Sequence, residues 1–198
     1  MDDTPFHDLD LYVALPRLGG LALSHDGRRL VATVSTLNPD RTGYVSALWE
    51  LDPAGQEPAR RLTRSAKGEA AATFTAAGDL LFTSARPDPD GAASEDEPKA
   101  ALWLLPAAGG EARVVATAPG GISGIACARE AEVVSVAAAV LPGAADLAAD
   151  AKLRQERGRA KIRAILHAAY PVRHWDRDLG PDQPRRFVAD LSGLADLP

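Results

Sequence analysis

The sequence has a single cysteine, Cys127, so it can form no disulfide within the chain. A cysteine-poor composition is typical of a reducing compartment, and the apolar neighbours of Cys127 favour a small packed residue over a reactive thiol. The sequence also lacks an apolar run of the ~18 residues that a membrane helix needs. Its first residues, Met1-Asp2-Asp3, are acidic where a signal peptide would be basic. We therefore expect a cytoplasmic protein without a membrane segment.

Positive charge is scarce as well. Lys and Arg total 22 against 27 Asp and Glu, which gives a formal net charge of −5. A nucleic-acid-binding domain normally carries a basic face, so we expect no nucleic-acid partner. The densest basic cluster, Arg154 to Arg163, is interpreted as a solvated helix face, with phosphate binding as the less favoured alternative.

No complete nucleophile motif is present. The segment closest to the G-x-S-x-G pattern is Gly121-Ile122-Ser123-Gly124-Ile125, which lacks the final glycine and lies at the start of a predicted strand. Asp176 and Asp178 flank Arg177, and we expect these carboxylates to cap backbone groups or pair with an arginine rather than catalyse proton transfer. The sequence therefore predicts no catalytic residue.

Metal and cofactor motifs are missing too. The histidines show no i, i+4 spacing, and the cysteine is remote from them; they are His7, His25, His167 and His174. No glycine-rich segment follows the strand-to-helix order of a phosphate-binding loop. We predict no cofactor-binding residue, no metal ligand and no cofactor.

What the sequence does contain is a repeat. The segments Leu21 to Ser35 and Ala72 to Ala85 each read as a short alternating run, a polar turn and a second apolar run. Gly27 and Gly78 occupy the same place in the two turns, and Asp26-Gly27 is a strong signal for a two-strand hairpin. Each segment is therefore predicted to form a β-hairpin.

A second pair of segments follows the first at a similar distance. Ala47 to Thr63 and Ala101 to Thr117 both begin Ala-Leu-Trp, continue through a Pro/Gly-rich turn and close on apolar residues and Thr. Trp49 and Trp103 are therefore equivalent and are predicted to pack between repeats. Four short strands in about 50 residues are typical of a propeller blade.

A third unit is less regular. Ile122 to Ala139 matches the first hairpin, with Ala131 in place of the turn glycine, and Trp175 is interpreted as the equivalent of Trp49 and Trp103. This alignment requires an insertion of about 20 residues, in which Asp146 to His167 favour a helix. The last strand is predicted at Arg185 to Leu191.

We thus predict an all-β fold, a partial β-propeller of about three four-stranded blades with one helical insertion in the third blade. The expected divisions are a lead-in at 1–18, blades at 19–66, 67–118 and 119–193, an insertion at 144–168 and a tail at 194–198. Closed propellers use about four to eight blades. We therefore expect the chain to be a piece of a longer protein or to self-associate through open blade edges.

The segment Arg86 to Lys99 is acidic and rich in Pro and Gly, and we predict a solvated loop between the second and third strands of the second blade. Its carboxylates lack the ligand spacing of a calcium-binding loop. They are Asp88, Asp90, Glu95, Asp96 and Glu97.

These repeats resemble the N-terminal propeller of bacterial serine peptidases of the prolyl oligopeptidase family, in particular acylaminoacyl-peptidase-like and dipeptidyl-peptidase-like members. The opening Phe6 to Arg17 and the segments Tyr170 to Arg173 and Trp175 to Gly180 resemble actinobacterial members. The resemblance implies a two-domain enzyme that cleaves short peptides. Its propeller filters substrates by size, and a C-terminal α/β-hydrolase domain carries Ser, Asp and His.

The sequence departs from that family in lacking the hydrolase domain, so no triad residue can be assigned and the chain by itself is expected to be inactive. It also lacks the paired-Glu motif that dipeptidyl peptidases use to hold a free amino terminus. Two alternatives stay open. One is a stand-alone TolB-like or WD40-like propeller that binds a protein partner, and the other is a product that does not fold stably.

Overall fold

The computed structural model describes residues 4–91, 97–167 and 170–197. The chain begins with a 3₁₀ turn at Pro5–His7 and a short helix, α1, at Leu9–Ala14. A four-stranded antiparallel sheet follows, with its strands in sequence order. Its strands are β1 (Arg17–Leu23), β2 (Leu30–Leu37), β3 (Tyr44–Leu51) and β4 (Arg60–Arg61).

The second sheet repeats this arrangement of four antiparallel strands in sequence order. Its strands are β5 (Ala70–Phe74), β6 (Leu80–Ser84), β7 (Ala101–Leu105) and β8 (Arg113–Ala116). Two sheets of identical strand order, each built from two consecutive hairpins, are what the sequence repeat predicts for two propeller blades.

The third sheet has three strands in the described part of the chain, in the order β13-β10-β9. They are β9 (Ile122–Cys127), β10 (Val133–Val140) and β13 (Gln183–Asp190). Between β10 and β13 the chain forms a helix, α2 (Leu147–Arg159), and a small hairpin, β11 (Arg173–His174) with β12 (Arg177–Asp178). A 3₁₀ segment, Leu191–Asp196, follows β13. The predicted fold class, an all-β partial propeller with a helical insertion in its third sheet, is confirmed.

Glycines shape the first two hairpin turns, as predicted. Gly27 has φ = 72° and Gly78 has φ = 88°, a region that side chains with a Cβ rarely adopt. A main-chain hydrogen bond joins the two ends of each turn, from Ser24 N to Arg29 O (2.8 Å) and from Thr75 N to Asp79 O (2.9 Å). The third hairpin is closed in the same way without the glycine.

Two apolar layers hold the three sheets together. The first layer lies between sheets one and two and contains Val31, Leu48, Phe82 and Trp103. The second lies between sheets two and three and joins residues such as Leu81 and Leu102 to Val136 and Ala138. Neighbouring residues of β6 belong to different layers because successive side chains of a strand point to opposite faces. The first strands β1, β5 and β9 lie side by side, as the inner strands of a propeller do.

The predicted equivalence of Trp175 is wrong. Trp49 lies opposite Ala32 on the second strand, Trp103 lies opposite Phe82, and the third sheet places Phe187 opposite Val136. Trp175 instead lies in the turn between β11 and β12 and is 88% exposed. The segment between β10 and β13 is longer than the alignment assumed. As a consequence, the strand predicted as the fourth of its blade is the third.

Helix α2 is shorter than the predicted helical segment Asp146 to His167. Asp146 caps its first turn by accepting a hydrogen bond from Ala149 N (2.7 Å). The helix ends at Arg159, and Lys161 has a positive φ of 52°, which breaks helical geometry. In the part of the chain that the structure describes, no helix is long and apolar enough to cross a membrane.

Candidate functional site

Ser123 lies on strand β9, and not on the sharp strand-to-helix turn that a nucleophilic serine needs. Its hydroxyl donates to Ala137 O at 3.4 Å, and among the described residues it forms no hydrogen bond with a histidine. A serine without a base to take its proton is a weak nucleophile. In the described part of the chain, Ser123 therefore lacks the base that would activate it.

The histidines are spread over four separate places. His7 lies in the first 3₁₀ turn, His167 follows α2, and His174 lies in β11. His25 lies in the first hairpin turn and is partly buried, and its Nε2 has no hydrogen-bond partner among the described residues. Those residues contain no group of three or more His, Cys, Asp or Glu side chains that could hold a metal ion.

The remaining reactive groups are occupied by structural contacts. Arg173 Nε lies 3.2 Å from Asp178 Oδ1 across the β11–β12 hairpin, which is the arginine pairing that the sequence suggested. Cys127 is partly buried on β9, and burial raises the pKa of its thiol. A thiol with a raised pKa carries little thiolate at neutral pH, so Cys127 is a packing residue.

The predicted acidic loop joins β6 to β7. Asp88 Oδ1 accepts a hydrogen bond from Asp90 N (3.1 Å), and Glu97 Oε1 lies 3.0 Å from Lys67 Nζ. The hydrogen bond from Lys67 lowers the pKa of Glu97. Glu95 and Asp96 lie outside the described residues. The carboxylates of Asp88 and Glu97 therefore bind donors of the protein itself.

An arginine connects the first two sheets. Arg29 Nε lies 2.6 Å from Glu50 Oε1 in the first sheet, and Arg29 Nη1 donates to Gly78 O in the second at 3.1 Å. Its guanidinium also lies 5.1 Å from the centre of the Phe74 ring. Burial by itself would raise the pKa of Glu50, but hydrogen bonds from Arg29 and Arg60 outweigh this effect and lower the pKa. These contacts fix the angle between the two blades.

A buried carboxylate lies at the same junction. Glu69 is almost completely buried, and its Oε2 accepts a hydrogen bond from the Thr63 hydroxyl at 2.8 Å. Its Oε1 has no hydrogen-bond partner among the described residues. Burial raises the pKa of Glu69, against the opposing influence of Thr63 and of the Arg86 charge. Nothing in the sequence pattern indicated this group.

Replacing Glu69 with glutamine is expected to stabilise the fold at pH 8 by about 1 kcal/mol, because the neutral amide costs less to bury than a carboxylate. A raised pKa in the folded state means that ionisation of Glu69 costs stability as the pH rises above 4.5, its ordinary value. Below that pH the wild type and the variant should converge.

Urea unfolding at pH 4 and pH 8 measures both effects. Glu57→Gln, at an exposed position of the β3–β4 loop, is the matched control and should change stability little. A Glu69→Gln protein that is less stable than the wild type at pH 8 would contradict a destabilising charge at this position.

One face of the first sheet is apolar and has no sheet packed against it in the described chain. On this face, Leu21 of β1 lies opposite Ala32 of β2, which lies opposite Trp49 of β3. The equivalent faces of the second and third sheets each pack against the preceding sheet. Leu18, Leu21 and Leu23 of β1 are 71%, 65% and 56% exposed. We call this surface, formed by Leu18, Leu21, Leu23 and Trp49, the open blade face.

Further apolar side chains lie on the N-terminal segment. Phe6, Leu9 and Leu11 are exposed although α1 is held in place. Asp8 caps α1, and the Tyr44 hydroxyl of β3 donates to Val13 O at 2.7 Å. Exposed apolar patches of this kind are typical of a surface that contacts another domain or protein.

Three antiparallel sheets whose first strands lie side by side, with an uncovered apolar face on the first sheet, define a partial β-propeller fold. No protein-family model and no curated protein sequence matches it. Solved structures do. An acylaminoacyl peptidase of Pyrococcus horikoshii is 9% identical with a TM-score of 0.63, and the alignment covers 92% of this chain and 24% of that one.

Two other solved structures are similar in fold. A TolB protein of Agrobacterium tumefaciens is 15% identical with a TM-score of 0.54, and the alignment covers 92% of this chain and 48% of that chain. The AtxE2 isopeptidase in its apo form is 18% identical with a TM-score of 0.54, over 97% of this chain and 31% of that one. The chain therefore spans less than half the length of these proteins, and identities this low show the propeller fold alone.

Proposed function

We propose that the chain is a non-catalytic propeller portion of a serine peptidase of the prolyl oligopeptidase family. In this proposal residues 19–66, 67–118 and 119–193 are three blades, and the protein acts in the cytoplasm. The propeller restricts which peptides reach an α/β-hydrolase domain that carries the catalytic residues. The observation that carries the proposal is the similarity to the Pyrococcus peptidase at a TM-score of 0.63.

The surfaces of the chain support this role. The open blade face presents the kind of side chains that the second and third sheets bury between blades, so it is suited to a further blade. The exposed Phe6, Leu9 and Leu11 of the N-terminal segment offer an apolar surface for a neighbouring domain. Ser123 and the dispersed histidines offer no catalytic group of their own.

The first test uses the chain by itself. We expect no hydrolysis of short chromogenic peptides and no labelling by a fluorophosphonate probe that modifies activated serines. A Ser123→Ala variant is the matched control. Turnover by the wild type that is lost in this variant would overturn the proposal of a non-catalytic chain.

The second test adds an α/β-hydrolase domain with a G-x-S-x-G motif encoded at the same locus. We expect the two parts to form a complex in size-exclusion chromatography, and the complex to cleave short peptides while excluding much longer chains. A hydrolase domain that cleaves both lengths equally, with or without this chain, would contradict the gating role. So would a locus that encodes no such domain.

A second candidate function is a TolB-like propeller module that binds a protein partner, and the similarity to the Agrobacterium TolB protein favours it. The open blade face would then be the partner surface. Affinity capture with the wild-type chain, compared with Leu21→Ser on that face, distinguishes the two functions. Retention of a non-hydrolase protein by the wild type alone would favour this candidate.

A further inference from the structure

The segment that interrupts the third blade lines an open cavity of about 520 Å³. Helix α2 forms one wall through Leu153 and Arg157, and the chain after it forms another through Ile165 and His167. Leu179 and Pro181, which follow the β11–β12 hairpin, complete the apolar lining. Small-molecule and peptide sites are commonly of this size, with apolar walls and a few polar groups.

One polar group in this cavity carries an unbalanced charge. Arg157 Nη2 donates to Ala164 O at 2.9 Å, and no carboxylate of the described residues pairs with the guanidinium. Arg154, one turn earlier, is different because it lies 2.8 Å from Asp150 Oδ2 and 2.6 Å from Asp182 Oδ1. Asp182 also lines the cavity, but Arg154 neutralises it. The cavity therefore has a positive charge to offer an anion.

The wall that holds Arg157 is firmly attached to the blade. Asp150 is fully buried and accepts a hydrogen bond from Leu141 N at 2.7 Å, and Arg154 Nη2 donates to Ala139 O at 3.1 Å. Leu141 and Ala139 lie at the end of β10. A charged group that is held by packed elements keeps its position for a ligand, which favours recognition.

The mouth of the cavity is apolar and faces solvent. Leu166 and Tyr170 line it and are 92% and 91% exposed. Large apolar side chains that are exposed beside a concave site gain free energy when a ligand covers them. Gln183 also lines the cavity and can exchange hydrogen bonds with a ligand's amide groups.

We propose that this cavity binds the C-terminal end of a peptide whose last residue is apolar. The terminal carboxylate pairs with Arg157, with His167 beside it, and the last side chain packs on Leu153, Ile165 and Leu179. Gln183 favours a peptide over a fatty acid, because an acyl chain has no amide to use that group. The inference is independent of the proposed function, since it concerns the insertion alone.

The test is a binding titration of the 198-residue chain with N-acetyl-Gly-Leu as the free acid, followed by NMR or calorimetry. The same peptide as its C-terminal amide is the chemical control, and octanoate is the acyl control. We expect saturable binding of the free-acid peptide and at least about tenfold weaker binding of the peptide amide. Octanoate should also bind more weakly than the free-acid peptide.

Two variants separate the site from the general positive charge of α2. Arg157→Gln should lower the affinity for the acid to that for the amide, whereas Arg159→Gln, exposed and outside the cavity, should leave it unchanged. Thermal melts confirm that both variants are folded. No saturable binding, equal binding of acid and amide, octanoate binding as tightly as the peptide, or an unchanged Arg157→Gln affinity would each overturn the proposal.

Discussion

Replacing Trp103 with alanine is expected to lower the free energy of unfolding by about 3–5 kcal/mol. Its indole is buried in the layer between the first two sheets, and its Nε1 donates to Ser84 O at 3.2 Å. The guanidinium of Arg86 stacks over the ring at 3.8 Å. The substitution removes apolar contacts, creates a cavity and removes the ring on which Arg86 stacks. Each of these changes lowers stability.

Trp175→Ala is the matched control for this experiment, because it removes the same side chain from an exposed turn. We expect it to change stability by less than about 0.5 kcal/mol. Urea unfolding followed by circular dichroism measures both variants without relying on tryptophan fluorescence. Equal losses from the two substitutions would mean that Trp103 and Trp175 do pack equivalently, as the sequence alone suggested.

The second large effect is expected at Asp150. Alanine at this position should destabilise the chain by about 3–5 kcal/mol, the usual consequence of removing one partner of a buried ion pair. Asp150 is fully buried, accepts from Leu141 N and pairs with Arg154. Its loss leaves a buried main-chain donor without an acceptor and weakens the attachment of α2 to β10.

Glu156→Ala, on an exposed position of the same helix, controls for the change in helix composition and charge. Unfolding by urea gives the comparison. Amide hydrogen exchange across residues 141–160 should increase in Asp150→Ala before the blades are affected, since the insertion loses its anchor first. Equal stability of the two variants would contradict an anchoring role for Asp150.

The blades were readable from the sequence because their signals are local. Gly27 and Gly78 mark turns that need a positive φ, and the alternating residues on either side form the strands of those hairpins. Trp49 and Trp103, each within an Ala-Leu-Trp segment, are also a local signal and mark the third strand of each unit. Short-range pattern was therefore enough to predict the strand order of the first two sheets.

The third blade, which contains the insertion, could not be predicted in this way. Trp175 matched the repeat by residue type, yet the chain rejoins the sheet only at Gln183, and Phe187 takes the tryptophan's place. A repeat alignment does not show how long an insertion is. The insertion ends where the returning strand pairs with the edge strand of the sheet. Arg154, which pairs with Asp150 four residues earlier, is a signal that sequence spacing could have provided.

The sequence by itself determined the all-β class, the hairpins and the absence of a recognisable catalytic motif, since each depends on neighbouring residues. Tertiary structure alone decided that, among the described residues, Glu69 is buried with no partner for one oxygen and Arg157 lines a cavity with no carboxylate paired to it, while Arg154 is neutralised. It also decided which face of the first sheet stays open. These properties depend on contacts between segments that are far apart in the chain. Which groups are buried and which charges pair at such contacts depends on how the folded segments pack together. The order of residues in the sequence does not contain that information directly.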